Sequence, residues 1–199
     1  MFEQNDLLNE ITEQLGCKEP CYESATELLR ESMRFRRNQG ELPGILAEYI
    51  TRANLEDICS LYGDRVVFDP VQPVLRSSWS FIYRDNLVVF KEQGLYPFTE
   101  YDQVLLIDKL PVVIEVKTGC GMKINSILEI GRLEHWLQPL KDYFESRLGM
   151  VMVLPKDFTR MKSKAMDRFI KNKGIVVPFY SDSEGYRRGM EKSEIVHRI

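Results

Sequence analysis

Glu115 and Lys117 flank one residue at the end of an apolar run, and Asp102 precedes the glutamate by thirteen positions. Side chains alternate between the two faces of a β-strand. If the apolar run is a strand, Glu115 and Lys117 therefore share a face with Val113. Two carboxylates and an ammonium group on adjacent strands can hold a divalent metal ion, a water molecule and a phosphodiester. The other face of the strand would carry Val112, Ile114 and Val116.

This spacing suits Mg²⁺, because Mg²⁺ takes a few carboxylate oxygens and keeps positions for water and phosphate. Asp102 and Glu115 supply those oxygens if their strands pair through a short turn at residues 108–110. Lys117 would then orient the attacking water or neutralise charge on the phosphate. The simpler interpretation is a solvent-facing ion pair between Glu115 and Lys117 on a half-exposed strand. Taken alone, the tripeptide Glu115-Val116-Lys117 favours this interpretation. The acid before the neighbouring strand and the long helix predicted after the lysine favour the metal site.

Residues 100–106 (EYDQVLL) and 113–119 (VIEVKTG) together resemble the PD-(D/E)XK nuclease superfamily, in which archaeal Holliday-junction resolvases and restriction-like nuclease domains show such a run. The resemblance spans about residues 40–180, but its specific part is Asp102–Lys117. It implies a core of helix, three strands, helix and strand. It also implies that Asp102 and Glu115 bind Mg²⁺ or Mn²⁺, that the carbonyl of Val116 adds a ligand, and that Lys117 assists attack by water. Tyr101 stands where the motif has proline.

The resemblance further implies a catalytic glutamate in the first core helix, four positions after a glycine. Gly44 and Glu48 fit this pattern. On a helical wheel, however, Glu48 falls away from the apolar face that contains Leu46 and Ile50. Glu48 is therefore either a further site carboxylate or a solvated side chain. The alternative carboxylates are Glu41 and Asp57.

The segment 156–173 is rich in basic residues, and four of them recur at helical spacing on one face. Such a stripe suits the phosphate backbone of DNA, which we expect as the partner. A solvated helix face is the alternative. The four predicted nucleic-acid-binding residues are Arg160, Lys164, Arg168 and Lys171.

The bulk composition excludes several classes of protein. The formal net charge of −3 provides no global attraction to nucleic acid or to an anionic membrane, so any DNA binding must be local. No apolar run approaches the length of a membrane span. Two histidines argue against His-based triads and most zinc enzymes, and no phosphate-binding loop motif is present. The four cysteines contain no CxxC pair, which favours reduced thiols over an iron–sulfur cluster. Because nothing marks secretion, we expect a cytoplasmic location.

The order of the elements predicts an α/β fold with a restriction-endonuclease-like core, in which helices flank a mixed β-sheet. Strands are predicted at residues 65–68, 79–83, 87–91, 101–107 and 112–118, with a turn at 85–86 between the second and the third. A strand–helix–strand unit near the C-terminus implies parallel pairing there. We expect three regions: an acidic helical arm (1–39), the nuclease-like domain (40–180) and a polar tail (181–199). The arm offers a surface for a homodimer or for another protein partner.

Two functional hypotheses follow. The first is a metal-dependent nuclease that hydrolyses phosphodiester bonds in DNA, with Asp102, Glu115, Lys117 and Glu48 in the site. The second is a module with the same fold that binds partners without cutting, which the acidic balance would suit. The acid pair with its lysine favours the first, because a binding module has no chemical need to keep them together.

Overall fold

The computed structural model describes residues 2–19, 42–72, 75–76, 78–91, 94–118, 130–155 and 163–178. Within them, the α-helices are α1 (Asp6–Cys17), α2 (Leu42–Cys59), α3 (Ile130–Phe144) and α4 (Lys164–Lys171). The strands are β1 (Val66–Phe68), β2 (Leu75–Arg76), β3 (Trp79–Tyr83), β4 (Leu87–Lys91), β5 (Pro97–Tyr101), β6 (Gln103–Ile107), β7 (Leu110–Val116), β8 (Gly149–Leu154) and β9 (Ile175–Pro178).

The strands form two sheets. The larger sheet has five strands in the order β1-β6-β7-β8-β9, and the smaller is antiparallel with the order β2-β3-β4-β5. In the larger sheet, β1, β6 and β7 pair in antiparallel fashion, whereas β7, β8 and β9 are parallel. The predicted α/β class with a mixed sheet and flanking helices is therefore confirmed. The parallel part places the C-terminal ends of β7, β8 and β9 at one edge of the sheet.

A two-residue turn joins β6 to β7 and sets their register. Asp108 and Lys109 both have positive φ, at 48° and 68°, as a type I′ hairpin turn requires. The turn is held to the preceding chain by Arg65, whose Nε and Nη2 donate to the Asp108 carboxylate at 2.9 and 2.7 Å. Arg65 also accepts a backbone hydrogen bond from Asp108 N at 2.8 Å. With the turn fixed, Gln103 pairs with Ile114 at the far end of the hairpin.

The larger sheet separates two hydrophobic cores. On one face, Val112, Ile114 and Val116 pack with α1 and α2. On the other, Val113 packs with α3, α4 and the strands β3 and β4 of the smaller sheet. The alternation predicted for this strand is therefore confirmed. Because side chains two positions apart share a face, Glu115 and Lys117 belong to the side that α3 covers.

The described part of the predicted N-terminal arm belongs to the domain. Leu8 and Ile11 of α1 are fully buried against α2 and the sheet. The side chain of Asn5 caps the helix by accepting from Leu8 N at 2.7 Å, and it donates to the Ile107 carbonyl at 2.9 Å. The apolar face of α1 thus completes one of the two cores, and the boundary expected at residue 39 stays a prediction. Residues 20–39 of that arm and the predicted tail, 181–199, lie outside the described residues.

The chain passes from one sheet to the other at Asp102. Tyr101, the last residue of β5, pairs with Leu87 in the smaller sheet. Gln103, the first residue of β6, pairs with Ile114 in the larger one. A single residue thus separates the two ladders. None of the helices in the described part of the chain combines the length and hydropathy needed to cross a membrane.

Candidate active site

The acid pair predicted from the sequence lies at the open end of the β6–β7 hairpin. Asp102 precedes β6 directly, and Glu115 is the penultimate residue of β7. Continuing the register one step beyond Gln103 and Ile114 sets Asp102 opposite Glu115. Opposite residues of an antiparallel pair point to the same face. Both carboxylates are buried, so the fold brings two acids together away from water.

Val116 and Asn86 both donate to the Asp102 carboxylate. Its Oδ2 accepts a 2.7 Å hydrogen bond from Val116 N, and its Oδ1 lies 3.4 Å from Asn86 Nδ2. In a strand, the N–H and C=O of one residue point toward the same neighbouring strand. Because Val116 N points toward Asp102, the Val116 carbonyl faces that side as well. The carbonyl that the resemblance implies as a metal ligand is thus directed toward the acid pair.

Lys117 completes the predicted group of three residues. Its ammonium group contacts the Glu115 carboxylate and lies 3.8 Å from Asp102 Oδ2. Burial by itself would lower the pKa of Lys117, but Glu115 and Asp102 together raise that pKa above its ordinary value. The side chain remains 29% exposed. Lys117 is therefore a charged group that contacts the acid pair and still reaches solvent.

The charged form of Glu115 is electrostatically unfavourable in this site. Burial, and then the charge of Asp102, raise the pKa of Glu115 to about 8, although Lys117 acts in the opposite direction. Its Oε1 contacts Lys117, whereas its buried Oε2 has no hydrogen-bond partner among the described residues. A buried acceptor without a donor is unfavourable. A cation beside Oε2 would satisfy it and reduce the repulsion between the two acids.

Asn86 connects this pair to two further acids. Its amide nitrogen lies 2.9 Å from Glu100 Oε1 and 3.2 Å from Glu48 Oε2, in addition to its contact with Asp102. The residue ends the turn between β3 and β4 and is buried. An amide nitrogen carries two hydrogens, so it cannot fully satisfy three acceptors at once. No pattern in the sequence marks Asn86 or Glu100 as a site residue, and an asparagine in a turn carries no signal beyond the turn itself.

Glu48 lies beside the site although its helical position argued against it. The side chain is half-buried, and its Oε2 is the acceptor for Asn86. The backbone carbonyl of Glu48 also accepts from Gln103 Nε2 at 3.3 Å, which ties α2 to the start of β6. The helical wheel suggested a solvated position for Glu48. It was misleading because α2 is buried on most sides and has no wide solvent-exposed face. Of the two alternatives, Asp57 instead pairs with Lys18, and Glu41 lies outside the described residues.

The donor set fits a hard divalent cation such as Mg²⁺ or Mn²⁺. The carboxylates of Asp102 and Glu115 and the carbonyl of Val116 are oxygen ligands of the kind that such ions prefer. The buried Oε2 of Glu115, which has no hydrogen-bond partner among the described residues, is a carboxylate oxygen that could bind such an ion. Among the described residues, no three His, Cys, Asp or Glu side chains form a metal-binding group by themselves. Water and substrate oxygens would therefore have to complete the coordination, as is usual for Mg²⁺.

The site opens into a cavity of about 320 Å³ between the end of β7 and the first turns of α3. Among the described residues, Glu115 and Lys117 line it from the strand side, and Arg132, Leu133 and Trp136 line it from α3. These α3 residues were not among the predicted site residues. Trp136 follows Leu133 by three positions and Arg132 by four, and both spacings make the residues neighbours on the helix surface.

The predicted basic stripe lies on α4, on the same side of the sheet as the site. Lys164, Arg168 and Lys171 are exposed, while Met166 and Phe169 anchor the opposite face of the helix in the core. Arg160 lies outside the described residues. Because α4 connects the parallel strands β8 and β9, it runs back across the sheet. Lys164 is therefore nearer than Lys171 to the edge at which β7 ends. DNA binding by these basic residues stays a prediction.

Comparison with known proteins identifies no family. No family model matches the chain, and no curated protein matches it. The crystal structure of protein VC1899 from Vibrio cholerae is similar at 12% identity and a TM-score of 0.32. That match covers 94% of this chain and 55% of the other, so the chain spans about half the length of that protein. At this TM-score the likeness identifies neither a fold nor a function.

Proposed function

We propose that this protein is a metal-dependent nuclease of the PD-(D/E)XK type that hydrolyses phosphodiester bonds in DNA. One observation carries the proposal. The Lys117 ammonium contacts Glu115 and lies 3.8 Å from Asp102, where the two acids face each other at the end of a strand pair. These residues come from separate positions in the chain, and the hairpin register brings them together. The mixed sheet with helices on both faces is compatible with the restriction-endonuclease-like fold that the resemblance implies.

Each residue has a definite role in this proposal. Asp102, Glu115 and the Val116 carbonyl would hold Mg²⁺ or Mn²⁺, which supplies a more acidic bound water and neutralises phosphate charge. Val116 N and Asn86 orient the Asp102 carboxylate before substrate arrives. Lys117 orients the attacking water and offsets the charge that develops on the phosphate. Glu48 supports the site through Asn86, which it shares with Asp102.

The energetics of the site favour catalysis over a binding-only module. Two acids placed opposite each other in a buried position raise the free energy of the folded state, as the raised pKa of Glu115 reflects. Such strain has a purpose where it prepares a site for a cation and a substrate. A module that only bound partners would be more stable with apolar residues here. The acid pair therefore supports the enzyme more than its rival.

The test is cleavage by the purified protein of linear duplex, single-stranded and branched DNA in Mg²⁺, in Mn²⁺ and in EDTA. We expect metal-dependent cleavage that Lys117→Ala, Asp102→Asn and Glu115→Gln each reduce by at least about a hundredfold. The matched control is Lys109→Ala, which removes an exposed lysine at the opposite end of the same hairpin. Cleavage that survives Lys117→Ala and Asp102→Asn would contradict the proposal. An absence of cleavage with every substrate would favour the non-catalytic module.

A further inference from the structure

The cavity beside the acid pair has a charged part and an aromatic part. Lys117 lies at the charged part with Glu115, and Arg132 adds a second cation from an exposed position on α3. One helical turn further along α3, Trp136 contributes an indole ring, and the buried Leu133 closes the wall between them. Cations next to an aromatic surface are the combination that binds a nucleotide, because its phosphate is anionic and its base has a π-face.

Trp136 is held in place by its neighbour. The ring of Tyr101 lies 4.8 Å from the Trp136 ring between centroids, with the planes inclined at 58°. The Tyr101 hydroxyl donates to the Trp136 carbonyl at 2.6 Å. Tyr101 is fully buried and directly precedes Asp102. The indole is thus fixed relative to the acid pair, which reduces the entropy that a stacking surface loses when a base binds.

The dimensions of the cavity select the kind of nucleotide. Its volume of about 320 Å³ is near the lower end for small-molecule sites, which span about 300–1,000 Å³. It therefore accommodates one nucleotide rather than a base pair. A nucleotide in a duplex reaches such a pocket only when it leaves the base stack. Unpaired nucleotides meet this condition without the free energy of unstacking, so they are the favoured ligands.

We propose that this cavity is a binding site for a single unstacked nucleotide, with the phosphate near Lys117 and Arg132 and the base against Trp136. The inference rests on the proposed function and names its substrate class: nucleic acid with unpaired nucleotides at or beside the bond that is cut. Single strands and frayed or flapped ends belong to this class, and continuous duplex does not.

The test measures binding in the full-length protein, with Ca²⁺ in place of Mg²⁺ so that affinity is read separately from cleavage. The probes are a 5′-phosphorylated oligothymidylate and a blunt duplex, each labelled for fluorescence anisotropy. The variants are Trp136→Leu, which removes the stacking surface, Trp136→Phe, which retains an aromatic face, and Arg132→Gln. The matched controls are Tyr96→Leu and Arg147→Gln, which alter an exposed aromatic residue and an exposed arginine that do not line the cavity.

We expect Trp136→Leu to weaken single-strand binding about tenfold, because stacking on one aromatic ring has about this effect per base. Trp136→Phe should recover most of the affinity, Arg132→Gln should lower it, and both controls should leave it unchanged. Blunt-duplex binding should not respond to Trp136→Leu. The proposal is overturned if Trp136→Leu and Arg132→Gln leave single-strand affinity unchanged, or if each lowers single-strand and duplex affinity equally. Circular dichroism confirms the fold of each variant, and the exposed Arg132 provides the test should Trp136→Leu unfold.

These outcomes separate this inference from the proposed function. Trp136-dependent single-strand binding without cleavage would leave the nucleotide site standing and reject the nuclease. In the opposite case, cleavage depends on Lys117, but substitutions at Trp136 and Arg132 do not change single-strand affinity. That result would support the nuclease and reject the nucleotide site.

Discussion

The backbone N–H of Val116 donates a 2.7 Å hydrogen bond to Oδ2 of Asp102. This bond joins the last residue of β7 to the residue that precedes β6. A carboxylate oxygen thus takes the place of the backbone carbonyl that would accept from this N–H in a regular strand pair. The carboxylate is consequently fixed by the backbone of the strand that carries Glu115. Sites built on strands in this manner hold their geometry better than sites on loops.

The first prediction concerns metal binding and uses Asp102→Asn. The amide retains an oxygen that can accept from Val116 N but removes the charge that opposes Glu115. In EDTA the variant should therefore be at least as stable as the wild type. In Mn²⁺ at a hundredfold excess over Kd, the wild type should gain about 2.7 kcal/mol and the variant nothing. Thermal unfolding in EDTA and in Mn²⁺ measures both effects.

Asp108→Asn is the control for this measurement, because Asp108 lies in the turn at the opposite end of the hairpin. It should retain the full response to Mn²⁺. Equal stabilisation of wild type and Asp102→Asn by Mn²⁺ would remove Asp102 from the metal site.

The second prediction concerns Asn86, which we expect to separate the surrounding acids. Asn86→Asp would place another carboxylate beside Glu48, Glu100 and Asp102. Like charges raise the pKa of the new acid in the folded state above its value in the unfolded chain. The folded state then binds more protons, so the variant should lose stability relative to the wild type as pH rises. We expect a loss on the order of 3 kcal/mol at about pH 8 and a smaller one at about pH 5.

Urea unfolding in EDTA at these two pH values measures the effect. Asn86→Ala is the comparison, because it removes the donor without adding charge and should cost about 1–2 kcal/mol with little dependence on pH. A loss in Asn86→Asp that is the same at both pH values would show that electrostatic repulsion is not its cause.

The third prediction concerns the basic face of α4. Lys164→Glu combined with Arg168→Glu removes two exposed cations at helical spacing. If both contact phosphates, the slope of log affinity against log salt should fall by about two. Lys109→Glu with Arg147→Glu provides an equal charge change at the opposite edge of the sheet and should leave the slope nearly unchanged. A filter-binding titration at several salt concentrations distinguishes the pairs, and equal slopes for wild type and the α4 variant would reject the stripe.

The fourth prediction concerns the thiols. Cys17 is exposed and Cys59 is buried, and both are free. Burial raises the pKa of Cys59 to about 11, so little thiolate is present near neutral pH. Iodoacetamide should therefore modify Cys17 in the native protein, and Cys59 roughly a hundredfold more slowly than an ordinary exposed thiol. Peptide mapping after timed quenching gives the two rates. Similar native rates for Cys17 and Cys59 would contradict the burial, and unfolding in urea should equalise them.

The hairpin that carries the acid pair was predictable because its signals are local. Alternation of Val112–Val116 assigned the two faces, and a polar turn at Asp108 located the reversal. The strands β3 and β4 were predicted with their observed bounds for the same reason, since each is a short apolar or aromatic run with a turn between them.

The junction at Asp102 was not predictable from local pattern. Residues 101–107 suggested one continuous strand, because no turn signal separates Tyr101 from the apolar run Val104–Ile107. The structure instead ends β5 at Tyr101 and begins β6 at Gln103, since the two segments find partners in different sheets. The strand β5 was missed for a related reason. It begins at Pro97 and is largely exposed, so it lacks the apolar content that marks a buried strand.

The residues around the acid pair depend on packing between distant elements. Asn86 and Trp136 come from a turn and a helix that meet the hairpin only after the second core has formed. The spacing of residues in the sequence does not indicate such long-range contacts. Sequence therefore indicates the candidate residues of the acid pair more readily than the residues that surround them.

The position of Asp102 between two ladders has a consequence for how activity arises. Neither sheet alone can place this carboxylate, because its preceding residue is aligned by Leu87 and its following residue by Ile114. A chain in which only one sheet has formed would carry both acids and the lysine without a competent centre. If the protein is the nuclease proposed above, hydrolysis would begin only after both sheets have formed, so a partly folded chain would not cut DNA.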